Sequence, residues 1–291
     1  MPIKPKINMN LKSVHKYLIA IPTYKRYDIL NTHTLAVLEK HKIDLDKINI
    51  FVANESEADS YKQHLDSKYH NKIIIGKKGL KNQRNFISSY FPEKQCIVQM
   101  DDDIKEIYYL DHPDKKDYEK WINLEPSDML AREFRKRQTL IPVKGLNKLF
   151  HDFFKKCIIE GSYIWGVYPT ANSYFMTFFH STELKFIVGP LFGIINRHDS
   201  RLKLTLDEKE DSERTLQYFS LDGIVIRFND ITIETDYYRN QGGMQAENKD
   251  RKKEASKSVA ILHKKYPKLT KPYIRKSSGI PEIKLLKKSK P

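Results

Sequence analysis

Nowhere in the chain do about 18 apolar residues run together, so no stretch reads as a helix that crosses a membrane. Cysteine is almost missing. Cys96 and Cys157 stand in unrelated apolar segments, which excludes a disulfide framework and zinc-type spacing and reads as two buried thiols of an intracellular protein. Internal repeats are absent. The opening Met1-Pro2-Ile3-Lys4-Pro5-Lys6 is basic and lacks the apolar core of a signal peptide, so the expected location is cytoplasmic. Acidic residues are the minority sign, and the 291-residue chain carries a formal charge of +15.

That charge is unevenly placed. Residues 249–291 hold 15 lysines and arginines against Asp250, Glu254 and Glu282, a net +12, which leaves +3 for the rest. A basic stretch of this kind concentrates polyanions, nucleic acid first and anionic membrane second; the plain reading is a solvated face. Length and a 40% hydrophobic content allow one large α/β domain or two small ones.

The stretch that organises the chain is Cys96-Ile97-Val98-Gln99-Met100-Asp101-Asp102-Asp103-Ile104. A short apolar run, expected to be a buried strand, breaks into three carboxylates. Desolvating even one ionised carboxylate is costly, so the triplet calls for a basic cluster or a hard divalent cation. In open α/β sheets the ligand crevice lies at the carboxyl ends of strands, where this triplet would sit. A solvated acidic turn with Asp103 as a helix cap is the alternative.

Three further strand–turn–helix units precede it. Tyr17–Ile21 stops at Pro22, which cannot continue a central strand; a helix is expected over Tyr27–His41, and Thr23 caps either this helix or the turn before it. Arg26 adds a planar fork suited to phosphate. Ile48–Ala53 ends at Asn54-Glu55-Ser56-Glu57, polar groups that either read a base or start a helix over Ala58–Tyr69. Lys72–Ile75 leads into Gly76-Lys77-Lys78-Gly79, with Arg84 and Asn85 opening a helix to Tyr90. Such alternation predicts a parallel sheet with flanking helices.

Beyond Leu110 the character changes. Residues 111–143, charge-dense and carrying Pro113, Pro126 and Pro142, read as a mobile excursion over the active face. Leu146, Leu149, Phe150, Phe153, Phe154, Cys157 and Ile158 keep strict helical spacing. Tyr163–Pro169, Phe186–Ile195 and Gly223–Phe228 are expected strands; Trp165 and Tyr168 either pack in the core or stack on a base or sugar. Five carboxylates cluster before and into a helix containing Glu210 and Asp211, where acids also belong for dipole reasons alone. Gly242-Gly243 with Arg251 is either a close approach to a ligand or a plain loop. Lys249–His263 reads as a basic helix and Tyr266–Pro291 as a lysine-rich tail.

Taken in order, Ile21-Pro22-Thr23-Tyr24-Lys25-Arg26, Arg84-Asn85, Met100-Asp101-Asp102-Asp103-Ile104 and Glu210-Asp211 resemble GT-A glycosyltransferases. Within them they resemble the TET-associated glycosyltransferases, linked with phage enzymes that glycosylate hydroxymethylated pyrimidines in DNA and related to the kinetoplastid base-J glucosyltransferase. The resemblance runs over residues 17–110 and more loosely over 186–269. It implies a GT-A fold, a Rossmann-like mixed α/β sheet with a nucleotide-sugar half (17–110) and an acceptor half (144–269). An extension (1–16) would precede it, the basic helix would close the acceptor half, and a basic tail (270–291) would follow. The low-glycine, lysine-rich composition is compatible with an AT-rich phage or bacterial genome.

Residue by residue, the resemblance implies that Pro22, Thr23, Arg26, Glu57, Arg84, Asn85, Asp101 and Asp102 bind the nucleotide sugar. Asp103, with Asp101, would hold Mn²⁺ or Mg²⁺ on the diphosphate. Asp211, or failing it Glu210, would activate the acceptor, and His263 is a weaker second metal ligand. Arg251, Lys252 and Lys253 would hold double-stranded DNA. The expected function is therefore transfer of a sugar from a UDP-sugar to a hydroxymethylated pyrimidine in DNA. The rivals are the same chemistry on a protein, glycan or lipid, and a non-catalytic DNA-binding module.

Overall fold

The computed structural model describes residues 5–113, 128–236, 251–276 and 278–286. The four amino-terminal strands are short apolar runs: β1 (Leu18–Pro22), β2 (Ile48–Val52), β3 (Ile73–Ile75) and β4 (Cys96–Met100). They pair in parallel, with Ile19 opposite both Ile48 and Val98 and with Ile50 opposite Ile73. Runs with apolar residues at successive positions suit strands buried on both faces, and helices cover those faces. Three helices connect them. The first, α1, has α-helical ends at Tyr27–Leu30 and Ala36–Lys40 around a π-helical Asn31–Leu35. The second, α2, is Glu55–His64, and the third, α3, is Leu80–Tyr90.

The remaining elements complete the same sheet. They are β5 (Ile104–Asp111), α4 (Met129–Lys136), β6 (Thr139–Pro142), α5 (Leu146–Glu160), β7 (Ile164–Tyr168), β8 (His180–Ser181) and β9 (Leu191–Ile195), then α6 (Glu210–Asp222) and β10 (Ile226–Thr235). The strand order is β3-β2-β1-β4-β9-β7-β10-β5-β6, with β8 paired on β10. Strand β9 runs antiparallel to both β4 and β7, so the sheet is mixed and unbroken from one edge to the other.

One face of the sheet packs against α1, α2 and α5, the other against α3, α6 and the carboxyl-terminal elements. Trp165 is fully buried on the first face, with ring centroids 4.8 Å from Phe153 and 5.7 Å from Phe154. It therefore belongs to the core and is not a stacking platform for substrate. Its neighbour across the sheet must be Gly193, because a Cβ there would lie 2.2 Å from the indole nitrogen. Truncating a buried aromatic such as Phe154 to alanine would cost about 3–5 kcal/mol.

Two sequence expectations change here. Part of 111–143 lies outside the described residues, but 128–143 is regular structure. Asp128 caps α4, Phe134 stacks on His112 at 3.7 Å, and β6 pairs with β5. The expected tail over 270–291 is also structured. After α7 (Arg251–Lys265), β11 (Thr270–Ile274) and β12 (Pro281–Leu285) form an antiparallel hairpin with Thr270 opposite Leu285. Ile283 packs with Val259 and Leu262 of α7 into the second core cluster. Alternating lysines hide the apolar face of this hairpin from a composition-based reading. Gly242-Gly243 lies outside the described residues.

Candidate active site

The carboxylate triplet leaves β4 at the carboxyl edge of the parallel strands and is held from three sides. The Asp101 amide donates to the Pro190 carbonyl at 2.9 Å, tying the turn to the strand β9 approach. Thr34, fully buried in the π-helical turn of α1, donates to the Asp101 carbonyl at 2.7 Å and accepts from the Ile104 amide at 3.0 Å. One hydroxyl thus closes both ends of the turn. Arg84, buried in α3, donates to Asp101 Oδ1 at 2.6 Å, to Gln99 at 2.8 Å and to the Gly189 carbonyl at 3.2 Å.

Asp102 is buried behind the turn. It accepts from Thr23 Oγ1 at 2.7 Å and from Arg26 Nη1 at 3.2 Å, while Thr23 and the Tyr61 hydroxyl are 2.6 Å apart. Because Thr23 donates to Asp102, the Tyr61 proton points at Thr23. Thr23 is therefore a ligand of the acidic turn and not a helix cap. Arg26 also stands 3.6 Å from Asp103. Burial, chiefly, together with the charge of Asp101, pushes Asp102 up to about 6 against the pull of Arg26 and Thr23. Burial and the charges of Asp101 and Asp102 push Asp103 up to about 7.

Three carboxylates thus face two guanidinium groups, Arg26 and Arg84, an excess of acid that a cation would offset. Among the described residues no three His, Cys, Asp or Glu side chains cluster as a metal cage. A Mg²⁺-type ion bound by one or two carboxylates and completed by substrate phosphates needs no such cage. Asp103 and Asp101 fit that donor set.

A cleft of about 840 Å³ opens over the turn, within the usual range for a small-molecule site. Its basic wall is Arg26, Lys77, Lys78 and Lys81, with the first turn of α3 presenting backbone N–H groups. That helix begins at Gly79, whose φ of 90° suits glycine, and Asp207 accepts from the Lys81 amide at 3.1 Å. Arg84 consequently lies in the second turn of α3 and does not open it. Lys77, Lys78 and Asp207 went unassigned in the sequence because basic loops and acidic turns have ordinary explanations.

The opposite wall is the start of α6. Asp211 lines the cleft and accepts from the Ser212 amide at 2.8 Å. Burial and the adjacent Glu210 hold its carboxyl well above the usual carboxylate range. Glu210 itself is buried and ion-paired with Arg214 at 2.6 Å. The i, i+4 spacing of these two residues is visible in the sequence and separates the paired acid from the available one. Gly189 lies between the walls, where a Cβ would come within 3.2 Å of Glu210 Oε1. Helix α7 closes the cleft with Glu254, Lys257 and Ile261.

Other expected site residues have different duties. Both amide atoms of Asn85 are engaged with the Leu204 backbone at 2.9 Å, so Asn85 anchors a loop. Asn54 caps α2, while Glu57 accepts from the Lys25 amide at 2.9 Å and braces the β1 loop; Glu57 does not line the cleft. Pro22 ends β1 at the cleft floor. His263 bonds to the Thr270 hydroxyl at 3.1 Å and is not among the cleft residues. Arg251 begins α7, its side chain lying outside the described residues, and Lys252 and Lys253 are exposed on the same turn.

No family model and no curated protein matches this chain. Among solved structures, residues 1–349 of S. aureus TarS in complex with UDP-GlcNAc align with a TM-score of 0.50 at 13% identity. That alignment covers 87% of this chain and 67% of the TarS chain. A second TarS 1–349 structure aligns at a TM-score of 0.40 and 13% identity, over 75% and 59% of the two chains. The fold is GT-A-like. In such a sheet the Asp101–Asp103 turn, the α3 amino terminus and the start of α6 surround one crevice, as the geometry above describes.

Proposed function

We propose that this protein transfers a sugar from a UDP-sugar to the hydroxymethyl group of a modified pyrimidine in double-stranded DNA. The observation that carries this reading is the single cleft onto which the Asp101–Asp103 turn and Asp211 both open. TarS, of like fold and crystallised with UDP-GlcNAc, supports a UDP-sugar as donor. Support for DNA as acceptor comes from the TET-associated motif set and from the net +12 of residues 249–291, part of which forms a cleft wall.

Mn²⁺ or Mg²⁺ held by Asp103 and Asp101 would supply Lewis-acid stabilisation of the departing diphosphate. The remaining duties fall to the chain. Arg26, Lys77, Lys78 and the amino terminus of α3 face the nucleotide's negative charge. Arg84 keeps Asp101 aimed, and Thr34 fixes the turn's backbone. Asp211 takes the proton of the acceptor hydroxyl as its oxygen bonds to the sugar and UDP leaves. Its raised proton affinity makes it a better base near neutral pH than an ordinary carboxylate. Glu210, neutralised by Arg214, is held out of that role.

The decisive experiment incubates the protein with UDP-sugars, Mn²⁺ and hydroxymethylated duplex DNA, digests the DNA and weighs the nucleosides. Added hexose or pentose mass is expected. Donor turnover without added mass would move the acceptor to a protein, glycan or lipid. DNA binding with no donor turnover would leave only a binding module.

A further inference from the structure

Lys209 immediately precedes Glu210 and Asp211, and its backbone is left-handed, with φ 67° and ψ 25°. Residues with a β-carbon avoid this region unless their surroundings hold them there, and such outliers gather at functional sites. The Lys209 carbonyl accepts the Glu213 amide at 2.9 Å, so its conformation sets the direction in which α6 departs.

The side chain is tied down as well. Lys209 Nζ lies 2.8 Å from Glu282 Oε2, with the two side chains only 12% and 16% exposed. Arg275 approaches the other Glu282 oxygen at 3.3 Å from the solvent side. Glu282 belongs to β12, opposite Tyr273 of β11, and the next residue, Ile283, anchors the hairpin in the core. Residues 249–291 contain only three acids, and this one turns inward to the lysine that starts the catalytic helix.

We propose that Glu282 is a positioning residue for Asp211, acting through Lys209; the inference rests on reading Asp211 as the base. With the bridge intact, Lys209 is held left-handed and the first turn of α6 presents Asp211 to the cleft. Without it, the backbone relaxes and the carboxylate shifts. Small misplacements of a reacting group cost much in rate, on the order of 10²-fold for about 1 Å.

The test uses the full chain with Mn²⁺ and measures hydrolysis of UDP-glucose and UDP-GlcNAc, UDP affinity by calorimetry, and thermal midpoint. Glu282→Gln is expected to lower kcat about tenfold or more, with UDP affinity within about twofold. Lys209→Arg should keep most of the rate, and exchanging the two charges (Lys209→Glu with Glu282→Lys) should restore most of what Glu282→Gln loses. Unchanged kcat in Glu282→Gln would overturn the proposal. So would a fall in rate that tracks UDP affinity and thermal midpoint and that the exchange fails to restore. Asp211→Asn is assayed alongside: full turnover there would overturn the reading of Asp211 itself.

Discussion

Asp103 illustrates a residue kept at the expense of stability. Its folded value of about 7 and the value of about 6 for Asp102 both exceed the roughly 3.9 of an unfolded aspartate. The stability linked to these groups is therefore whole below about pH 4 and is lost as pH rises through 6 to 7. Without divalent ions, the thermal midpoint should fall over that window, and Mn²⁺ with UDP should restore it. Asp103→Asn should remove the upper part of that dependence, leave the part due to Asp102, and raise the midpoint at neutral pH, by about 2–4 °C for each kcal/mol recovered. The same variant should lose Mn²⁺-dependent UDP binding in calorimetry. Asp211→Asn should behave differently, with kcat reduced about 10²–10⁴-fold and UDP affinity unchanged. Because only the ionised carboxylate accepts a proton, wild-type turnover should rise with pH to a plateau displaced upward from the ordinary carboxylate range. Equal losses of rate and affinity in Asp211→Asn would argue for a structural role instead.

At the scale of the element, the π-helical turn in α1 carries a prediction of its own. Thr34→Val keeps the shape but removes the hydroxyl, leaving the Ile104 amide without its partner. A loss of about 1–3 kcal/mol is expected in denaturant unfolding, with weaker Mn²⁺-dependent UDP binding. Thr34→Ser should restore both. Legibility in the sequence varied for physical reasons. Strands β1, β2 and β4 were readable because burial on both faces leaves nearly unbroken apolar runs. The π-turn was not, since one extra residue in a helix changes spacing less than ordinary variation does. The β11–β12 hairpin was missed because lysines on its open face dominate its composition. Strand β5 was missed because its charged Lys105 and Glu106 interrupt the apolar pattern.

For the molecule as a whole, charge placement matters more than charge total. Lys257 of α7 lines a cleft whose floor is acidic. Under the proposed function, the positive charge of residues 249–291 would draw a polyanionic acceptor while its hydroxyl meets carboxylates below. Binding of hydroxymethylated DNA should weaken steeply with salt, with log affinity falling by about 0.9 for each phosphate contact per decade. UDP affinity, set inside the cleft, should change far less; parallel slopes would detach the basic unit from the acceptor. The acidic triplet was visible from sequence because charge at a strand end demands an explanation. The separate duties of Glu210 and Asp211, Asn85 and Arg84 depend on which groups each side chain meets, and for Asn85 that is the Leu204 backbone, 119 residues away.

The antiparallel β9, inserted between β4 and β7, has a mechanical consequence. It stitches what would be two lobes into one continuous hydrogen-bonded plate, with Ile97 opposite Ile194 and Trp165 opposite Gly193. Among the described residues the sheet has no break between its two halves, so they are not built to swing shut like a pair of jaws. Under the proposed function, adjustment to substrate would then fall to the segments around a rigid floor.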